Sequence, residues 1–152
     1  MQVDEKKAWD PQSIPTYWIN HASRQIVRLF EARLRPLQIG WAYIPVIFAL
    51  EKTSAGGLSQ KELTHRVKIE QPTMAALLNR MERNCVIKRS NNPHDRRESL
   101  ITLTSAARKK IPAIKQKLVD GAEHATQNLS DVEKQMLISC LKRVVENLMS
   151  AG

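Results

Sequence analysis

The sequence predicts a mainly α-helical chain that carries one small β-hairpin in its middle third. Apolar residues recur at helical spacing along most of the 152 residues, and the period changes to 2 only between residues 86 and 103. Five glycines and 5% aromatic residues count against a glycine-rich all-β sandwich. A chain of this length suits one ordinary domain, or one compact head with an assembly region.

Two helices are predicted in the N-terminal third. After a loose polar lead-in over residues 1–12, apolar residues between positions 14 and 34 recur at spacings of 3 and 4, which places them on one helix face. Pro36 ends or kinks this helix, because proline lacks the N–H that a helix needs. Pro45 can occupy the first turn of a second helix through Lys52, and residues 54–57 form a turn after it.

A pair of short helices follows. Residues 59–62 are a capping box, in which the serine oxygen accepts an orphan amide and the glutamate reaches back. The second helix starts near Gln71, and Pro72 stands early in it, where a missing N–H does no harm. Because only residues 68–70 join the two helices, the pattern is that of a helix-turn-helix.

Alternating residues then predict a β-hairpin. Residues 86–89 form one strand and Ser99–Leu103 the other, with the polar loop 90–97 between them. This loop contains two arginines, an aspartate and a histidine. The hairpin therefore has a charged, mainly basic tip and is predicted to be a wing.

Two amphipathic helices are predicted after the hairpin. Thr104 opens a long one, in which Pro112 should produce a kink or mark a boundary. Residues 130–133 are a second capping box. The helix after it carries a coiled-coil-like seam of Leu137, Leu141, Val144 and Leu148. A small winged head cannot cover these helices and the first helix as well, so a second copy of the chain is the simplest partner.

The basic charge is concentrated in the middle third of the chain. The formal net charge is +9, and residues 59–110, with 12 basic and 5 acidic residues, carry +7 of it. Residues 1–58 carry +2 and residues 111–152 are neutral. A local basic excess is typical of a nucleic-acid partner, because neutralised phosphates release condensed counterions. A solvated basic surface and contact with an anionic membrane face are the alternatives.

Several other classes of protein are not indicated. The longest uncharged stretch, residues 36–50, is too short and too broken for a membrane span, and no signal peptide is visible, so a cytoplasmic protein is expected. The two cysteines and four histidines do not have the spacing of a disulfide framework or a metal site. No nucleophile elbow, glycine-rich phosphate loop or HExxH motif is present. The sequence therefore predicts no enzyme activity, no metal and no cofactor.

Six short motifs of the middle third occur together in one known family. They are L-S-Q-K-E-L at 58–63, Q-P-T-M at 71–74, L-N-R-M-E-R at 78–83, V-I-K-R at 86–89, N-P-H-D-R-R at 92–97 and L-T at 103–104. The most specific part is a D-x-R between two strands, followed by a Leu-Thr that starts a helix. With these motifs, and with helices of the expected lengths on both sides, nearly the whole chain resembles the MarR (multiple antibiotic resistance regulator) family.

The resemblance implies a winged helix-turn-helix DNA-binding domain over residues 39–104 and a helical dimerisation region over residues 1–38 and 105–152. Family members are bacterial or archaeal homodimeric transcription regulators, usually repressors, and small phenolic or anionic ligands or oxidants often release them from DNA. The expected partners are a pseudo-palindromic double-stranded operator, a second copy of the chain and a small effector. The alternatives are a non-specific architectural nucleic-acid-binding protein and a binding module that has lost DNA binding.

The residues expected to contact DNA lie on the helix-turn-helix and the wing. Gln71 suits bidentate reading of adenine, and Thr73 offers a hydroxyl or a methyl group to a base. Ser59, at a helix N-terminus, would present backbone amides to a phosphate. By resemblance, Asp95 braces the wing through a bond to an arginine, and one of the next two arginines reaches the minor groove. The full set is Ser59, Gln71, Pro72, Thr73, Ala76, Asn79, Arg80, Lys88, Arg89, His94, Asp95, Arg96 and Arg97.

The alternatives for these residues are structural. Gln71 and Thr73 could only cap their helix, Arg80 could pair with nearby acids, and the wing charges could form a plain surface ion pair. Lys88 and Arg89 are expected to support phosphate binding. One of these two must face the other way, because side chains alternate along a strand.

A smaller set of residues is expected to bind an effector. By resemblance, the family's effector pocket lies between the dimerisation region and the winged helix, near Trp18, His21, Arg24, Trp41 and Tyr43. A cationic and aromatic pocket would suit an aromatic carboxylate. Core and interface packing is the alternative for each of these residues.

Three departures from the family pattern bear on these expectations, although none removes a DNA-contacting position. Cys85 stands where the family often has glycine, so Asn84 must supply the turn after the second helix of the pair. Residues 106–107 replace another frequent glycine, and residues 40–43 replace a small hydroxyl cap. Cys85 and Cys140 are both expected to be structural and buried. Cys85, beside two cations, is the better redox candidate.

Overall fold

The helices and strands follow the order that the sequence predicts. The computed structural model describes residues 9–53 and 56–151. Its helices are α1 (Pro15–Leu34), α2 (Ile44–Glu51), α3 (Gln60–Val67), α4 (Gln71–Arg83), α5 (Ser105–Ala125) and α6 (Asp131–Ser150). Its strands are β1 (Leu58–Ser59), β2 (Ile87–Asn91) and β3 (Ser99–Leu103). The predicted fold class, mainly α with a small hairpin wing, is confirmed.

Prolines delimit the first two helices as predicted. α1 ends at Leu34, and the 3-10 turn Arg35–Leu37 that follows contains the first of these prolines. A second 3-10 turn, Trp41–Tyr43, leads into α2, whose first turn contains Pro45. Proline supplies a helical φ but no N–H, so it fits a first turn and stops a helix that reaches it.

Two predicted loops lie partly outside the described residues. Of the N-terminal lead-in, residues 1–8 lie outside, and Pro11–Ser13 forms a 3-10 turn. Asp10 caps this turn by accepting a hydrogen bond from the N–H of Gln12 over 2.9 Å. Of the predicted turn at 54–57, residues 54 and 55 lie outside as well.

α3 and α4 form the predicted helix-turn-helix. The capping box of α3 is present, because the Glu62 N–H donates to Ser59 Oγ over 3.2 Å and the Ser59 N–H donates to the Glu62 carboxylate over 2.8 Å. Lys68 ends α3 in the left-handed conformation, with φ of 56°. The buried residues of α4 are Met74, Leu77, Leu78 and Met81, as predicted. One face of α4 therefore packs in the core, and the opposite face is exposed to solvent.

The turn after α4 differs from the prediction. Cys85, not Asn84, adopts the left-handed conformation, with φ of 56°. The Cys85 N–H donates to the Glu82 carbonyl over 3.0 Å, and the Val86 N–H donates to the Met81 carbonyl over 2.9 Å. These bonds define a Schellman motif, which places the left-handed residue after the C-cap. Because Asn84 is itself the C-cap, the expectation that it supplies the turn is wrong by one residue.

The strands form one antiparallel sheet in the order β1-β3-β2. β2 and β3 pair from Ile87 opposite Leu103 to Asn91 opposite Ser99. β2 therefore begins one residue later and ends two residues later than predicted, which leaves residues 92–98 as the wing tip. β1 was not predicted, because two residues are too few to show an alternation.

α5 continues through Pro112 without interruption, so this proline does not mark a boundary. A proline removes one backbone hydrogen bond, and the rest of this 21-residue helix continues on both sides. The predicted start is confirmed, because Thr104 Oγ1 accepts the N–H of Ala107 over 3.1 Å. α5 packs closely on α1 at Gly121, where an added Cβ would lie 2.4 Å from the Phe30 ring. This close approach requires glycine.

The buried core combines residues from both predicted regions. It contains residues of α2, α3, α4 and the sheet, together with Phe30 and Leu34 of α1 and Ile111 and Ile114 of α5. By contrast, α6 has no buried residue. Large apolar side chains of α1 and α6 that remain exposed include Trp18, Ile26, Met136, Leu137, Leu141, Val145 and Leu148. Among the described helices, none is both long and apolar enough to cross a membrane.

Candidate nucleic-acid interface

The outward face of α4 carries the predicted contact residues. Its exposed members include Gln71, Pro72, Thr73, Ala76, Asn79 and Arg80. The N-cap of the helix is Glu70, whose side chain makes no capping hydrogen bond. Gln71 and Thr73 lie in the first turn instead, so the capping role considered for them is not observed.

The start of α3 orients the start of α4. Gln60 Nε2 donates to Gln71 Oε1 over 3.2 Å. Ser59 is only 5% exposed, and its amide and hydroxyl both bond to Glu62. The backbone amide of Ser59 itself is therefore already donated, and the residue serves as the cap of α3.

Arg89 ties the wing to α4. Its Nη2 donates to Asn79 Oδ1 over 3.0 Å, and its Nη1 lies 3.4 Å from Glu82 Oε2. Asn79 and Glu82 are three residues apart on α4, so one guanidinium can reach both. Lys88 lies on the opposite face of β2 and is exposed. The predicted alternation is thus present, with Arg89 turned towards α4 and Lys88 turned away from it.

Hydrogen bonds to the backbone order the wing tip. Asp95 Oδ1 accepts the N–H of Arg97, and Asn92 Oδ1 accepts the N–H of His94, each over 2.9 Å. The Glu98 N–H donates to the Asp95 carbonyl over 3.1 Å. The expected bond from Asp95 to an arginine side chain is not observed. An aspartate side chain bonds the amide two residues further on through a short local turn, and this contact satisfies the carboxylate.

The cations of this surface keep their charge exposed. In residues 9–53 and 56–151, two ion pairs are present, Arg89–Glu82 and Lys115–Glu51. The exposed cations outside these pairs include Arg80, Lys88, Arg96 and Arg97, with His94 beside them. An exposed guanidinium that is outside an ion pair can meet a phosphate without first losing a partner.

A groove of about 260 Å³ lies between the start of α3 and the wing. Its basic lining residues are Lys61, Arg89 and Arg97. A second hollow of about 600 Å³ is lined in part by Lys61 and Arg66. Lys61 and Arg66 were not among the predicted DNA contacts. The capping motif at the start of α3 identifies only the residues that cap the helix, and it does not show which neighbouring side chains project towards a groove. The basic excess of the middle third was the available signal for both.

The predicted effector residues fall into two separate groups. Trp18, His21 and Arg24 lie on the part of α1 that precedes the core. Trp41 stacks on Phe30 with ring centroids 4.6 Å apart, and Tyr43 is buried. Trp18 and Phe30 are about 18 Å apart along the helix, at roughly 1.5 Å per residue. One subunit therefore does not bring all five residues into one pocket.

Tyr43 connects the segment before α2 with the end of α4. Asn84 Nδ2 donates to Tyr43 Oη over 2.8 Å. Because the neighbouring Trp41 stacks on α1, the C-terminal end of α4 is linked through this segment to the first helix. This contact could not be predicted from local patterns, because 41 positions separate the two residues.

Both cysteines are exposed, so the expectation that they are buried is wrong. Cys85 stands in the left-handed turn after α4, and Cys140 lies on α6, which the single subunit leaves uncovered. Within the part of the chain that the structure describes, no group of three or more His, Cys, Asp or Glu residues could hold a metal ion.

Comparisons with known proteins agree with this architecture. The MarR family model matches residues 53–99, which contain the helix-turn-helix and most of the wing. The uncharacterized HTH-type transcriptional regulator YwoH of Bacillus subtilis is 28% identical over 117 residues, covering 77% of this chain and 83% of that protein. The HTH-type transcriptional regulator SarZ of Staphylococcus haemolyticus is 25% identical over 125 residues, covering 82% of each. These relatives are transcriptional regulators rather than enzymes, in agreement with the sequence.

Solved structures share the whole architecture. A mutant of E. coli MarR complexed with operator DNA has a TM-score of 0.76 at 25% identity, covering 88% of this chain and 95% of that one. The transcriptional repressor CouR bound to a 23-mer DNA duplex has a TM-score of 0.79 at 22% identity, covering 93% and 99%, and this likeness concerns the fold. The motifs, the family model over residues 53–99 and the fold agree: the chain is similar to the MarR family of winged helix-turn-helix transcription regulators.

Proposed function

We propose that the chain is a cytoplasmic, homodimeric repressor that binds a specific operator and is released from it by a small effector. The observation that carries the proposal is the exposed face of α4 beside a wing tip whose arginines, Arg96 and Arg97, lie outside the described ion pairs. A helix with such a face fits the major groove, and a basic hairpin fits the groove next to it. The DNA-bound forms of MarR and CouR, which share the fold, support this mode of binding.

The proposed contacts divide into base readers and phosphate binders. Gln71, Thr73 and Asn79 would meet base edges, and Pro72 and Ala76 allow close approach. Arg80, Lys88 and the groove residue Lys61 would meet phosphates, while Arg96 and Arg97 of the wing, with His94, would enter the minor groove. Phosphate contacts fix the register of the protein on the duplex, and base contacts supply the sequence preference.

The proposed dimerisation region is residues 1–38 and 105–152, and the proposed DNA-binding domain is residues 39–104. The support is the apolar face of α6, which carries Leu137, Leu141 and Leu148 but has no buried residue in one subunit. A continuous apolar surface of this kind is typical of an interface. A two-fold dimer would bind half-sites about one helical turn apart in a pseudo-palindromic operator.

The proposed effector is an aromatic carboxylate. Its candidate contacts form two separate groups in one subunit, Trp18, His21 and Arg24 on α1, and Trp41 and Tyr43 before α2. An effector shifts DNA binding only if it prefers one arrangement of the two heads over the other. The hydrogen bond between Tyr43 and Asn84 supports a route from such a site to α4, because Asn84 is the C-cap of that helix.

The experiment that tests the proposal compares specific with random DNA. The purified protein is titrated with genomic fragments from its own upstream region and with random duplexes, at a fixed salt concentration of about 150 mM. We expect a preference of about 10³-fold or more for one fragment. Equal binding to upstream fragments, genome-wide selected fragments and random duplexes would contradict the proposal. It would favour the second candidate, a non-specific architectural protein, which the +7 charge of residues 59–110 also supports.

The wing is tested by Arg97→Ala. We expect weaker operator binding and a salt dependence whose slope falls by about 1, because the bound complex loses one cation that displaces counterions from the duplex. The slope of log affinity against log salt concentration measures the change. Lys142→Ala removes an equal charge from α6 and is the control that should leave the slope unchanged. Unchanged binding and slope in the wing variant would exclude Arg97 from the interface.

A further inference from the structure

We infer that Arg89 fixes the side-chain amide of Asn79 so that Asn79 reads a keto base, guanine or thymine, in the major groove. Asn79 is then a specificity-determining residue, and Arg89 is a positioning residue that acts through it. The inference rests on the proposed sequence-specific DNA binding and adds to it the chemistry of one base position.

Arg89 determines which end of the amide faces the wing. A guanidinium has only hydrogen-bond donors, so the amide atom that Nη2 approaches to 3.0 Å must be the oxygen Oδ1. The amide nitrogen Nδ2 then lies at the other end of the planar group. In residues 9–53 and 56–151, Nδ2 makes no hydrogen bond within the subunit, and Asn79 is exposed on the outward face of α4.

Glu82 holds Arg89 in this position. The Glu82 carboxylate lies 3.4 Å from Nη1, and the two side chains are 43% and 30% exposed. An ion pair at such exposure contributes little stability, so its effect is mainly geometric. Glu82 and Asn79 follow each other by three residues on α4, and the guanidinium therefore meets an acid and an amide on the same side of the helix.

Base edges in the major groove distinguish the two ends of an amide. Guanine O6 and thymine O4 are acceptors, whereas adenine N6 and cytosine N4 are donors. Bidentate reading of adenine needs the amide oxygen at N6 and the amide nitrogen at N7. Because the Asn79 oxygen is turned to Arg89, the nitrogen is the end that meets the base. A donor then faces a donor at adenine N6 and at cytosine N4. Adenine can still accept one bond at N7 but loses the second bond of bidentate reading, so both bases are disfavoured relative to guanine and thymine.

The test measures the base preference at one position. The full-length chain first selects its operator from a random double-stranded library. The base pair whose selectivity disappears in Asn79→Ala is then varied to all four identities in one half-site. We expect wild type to bind the two keto bases at least about fivefold tighter than adenine or cytosine. In Arg89→Met the amide is free to turn, so adenine should be bound as tightly as guanine.

The matched control is Lys88→Met, which removes the same charge from the neighbouring residue on the opposite face of β2. It should lower the affinity for all four duplexes by the same factor and leave the keto preference unchanged. Equal, base-independent losses in Arg89→Met and Lys88→Met would overturn the inference, as would an adenine or cytosine preference in wild type or unaltered selectivity in Asn79→Ala. A chain that selects no sequence at all would overturn the proposed function as well, so the two failures are distinguishable.

Discussion

The core around α4 and the outer face of α6 contain similar apolar residues in different surroundings. Leu78 of α4 has no exposed surface, whereas Leu141 of α6 is 38% exposed and its neighbour Leu137 is 43% exposed. Both helices show regular apolar spacing, so the spacing alone does not distinguish them. Periodicity predicts that a helix has an apolar face, but only the packing of the subunit shows whether that face is already covered.

The largest expected effect is on the free energy of unfolding, in the core around α4. Leu78→Ala should lower the free energy of unfolding by about 2–5 kcal/mol, because it removes buried methyl groups and leaves a cavity. Urea unfolding at protein concentrations low enough to separate subunits measures the change. Leu141→Ala, tested under the same conditions, is the control and should cost less than about 1 kcal/mol, since its side chain is partly exposed in one subunit. Equal losses would remove the distinction between the two faces.

The next largest effect is expected on dimer dissociation, at the exposed apolar face of α6. Leu141→Gln should raise the dissociation constant of the proposed homodimer about tenfold or more, because burying a leucine contributes about 1.5–3 kcal/mol. Sedimentation velocity over a dilution series measures it. Lys142→Gln changes the next residue on the same helix and should leave the constant unchanged. A wild-type chain that stays monomeric at all concentrations would contradict the proposed homodimer.

A smaller effect is expected at the left-handed turn of the packed head. Cys85→Gly should raise the free energy of unfolding by about 0.5–1 kcal/mol, because glycine adopts a φ of 56° without a Cβ penalty. Thermal or urea unfolding measures the gain. Cys85→Ala keeps the Cβ and removes the thiol, so this control should show no gain. Equal stabilisation by both variants would point to the thiol and not to the backbone.

The smallest effect is expected at the start of α6. The backbone N–H of Ser130, and then its hydroxyl, lower the pKa of the Glu133 carboxyl below its ordinary value of 4.5. A lowered pKa stabilises the folded cap above pH 4.5, and this contribution is lost as the pH falls through the folded pKa. Helicity measured by circular dichroism should therefore fall slightly at acid pH. The decrease should be smaller in Glu133→Gln, and the same decrease in both proteins would contradict this origin.

The helices could be predicted because their signals are local. The two capping boxes and the prolines at the ends of α1 and α2 act within a few residues, and all of them operate as the sequence indicates. β1 could not be predicted, because it exists through its pairing with β3, about 40 positions further along the chain. At the end of α4, asparagine was expected in the left-handed position because it adopts that conformation more readily than cysteine. The hydrogen bonds of the Schellman motif place Cys85 there instead.

The candidate interface was predictable in its residue types and less so in its contacts. The outward face of α4 follows from the positions of its buried residues. The partners of Arg89 could not be inferred, because they depend on how closely β2 approaches α4. Asp95 was expected to bond an arginine side chain, but it accepts the backbone N–H of Arg97. Which of these bonds forms depends on the local path of the loop.

The wing tip has a further consequence for the kinetics of binding. Asn92 and Asp95 order the loop through backbone amides, so the loop has its shape before DNA arrives and needs no arginine to keep it. The loop then loses little conformational entropy on association, and Arg96 and Arg97 remain free to interact with the negative potential of the duplex. Salt should therefore act mainly by slowing the encounter, while the lifetime of the formed complex depends on the base contacts of α4.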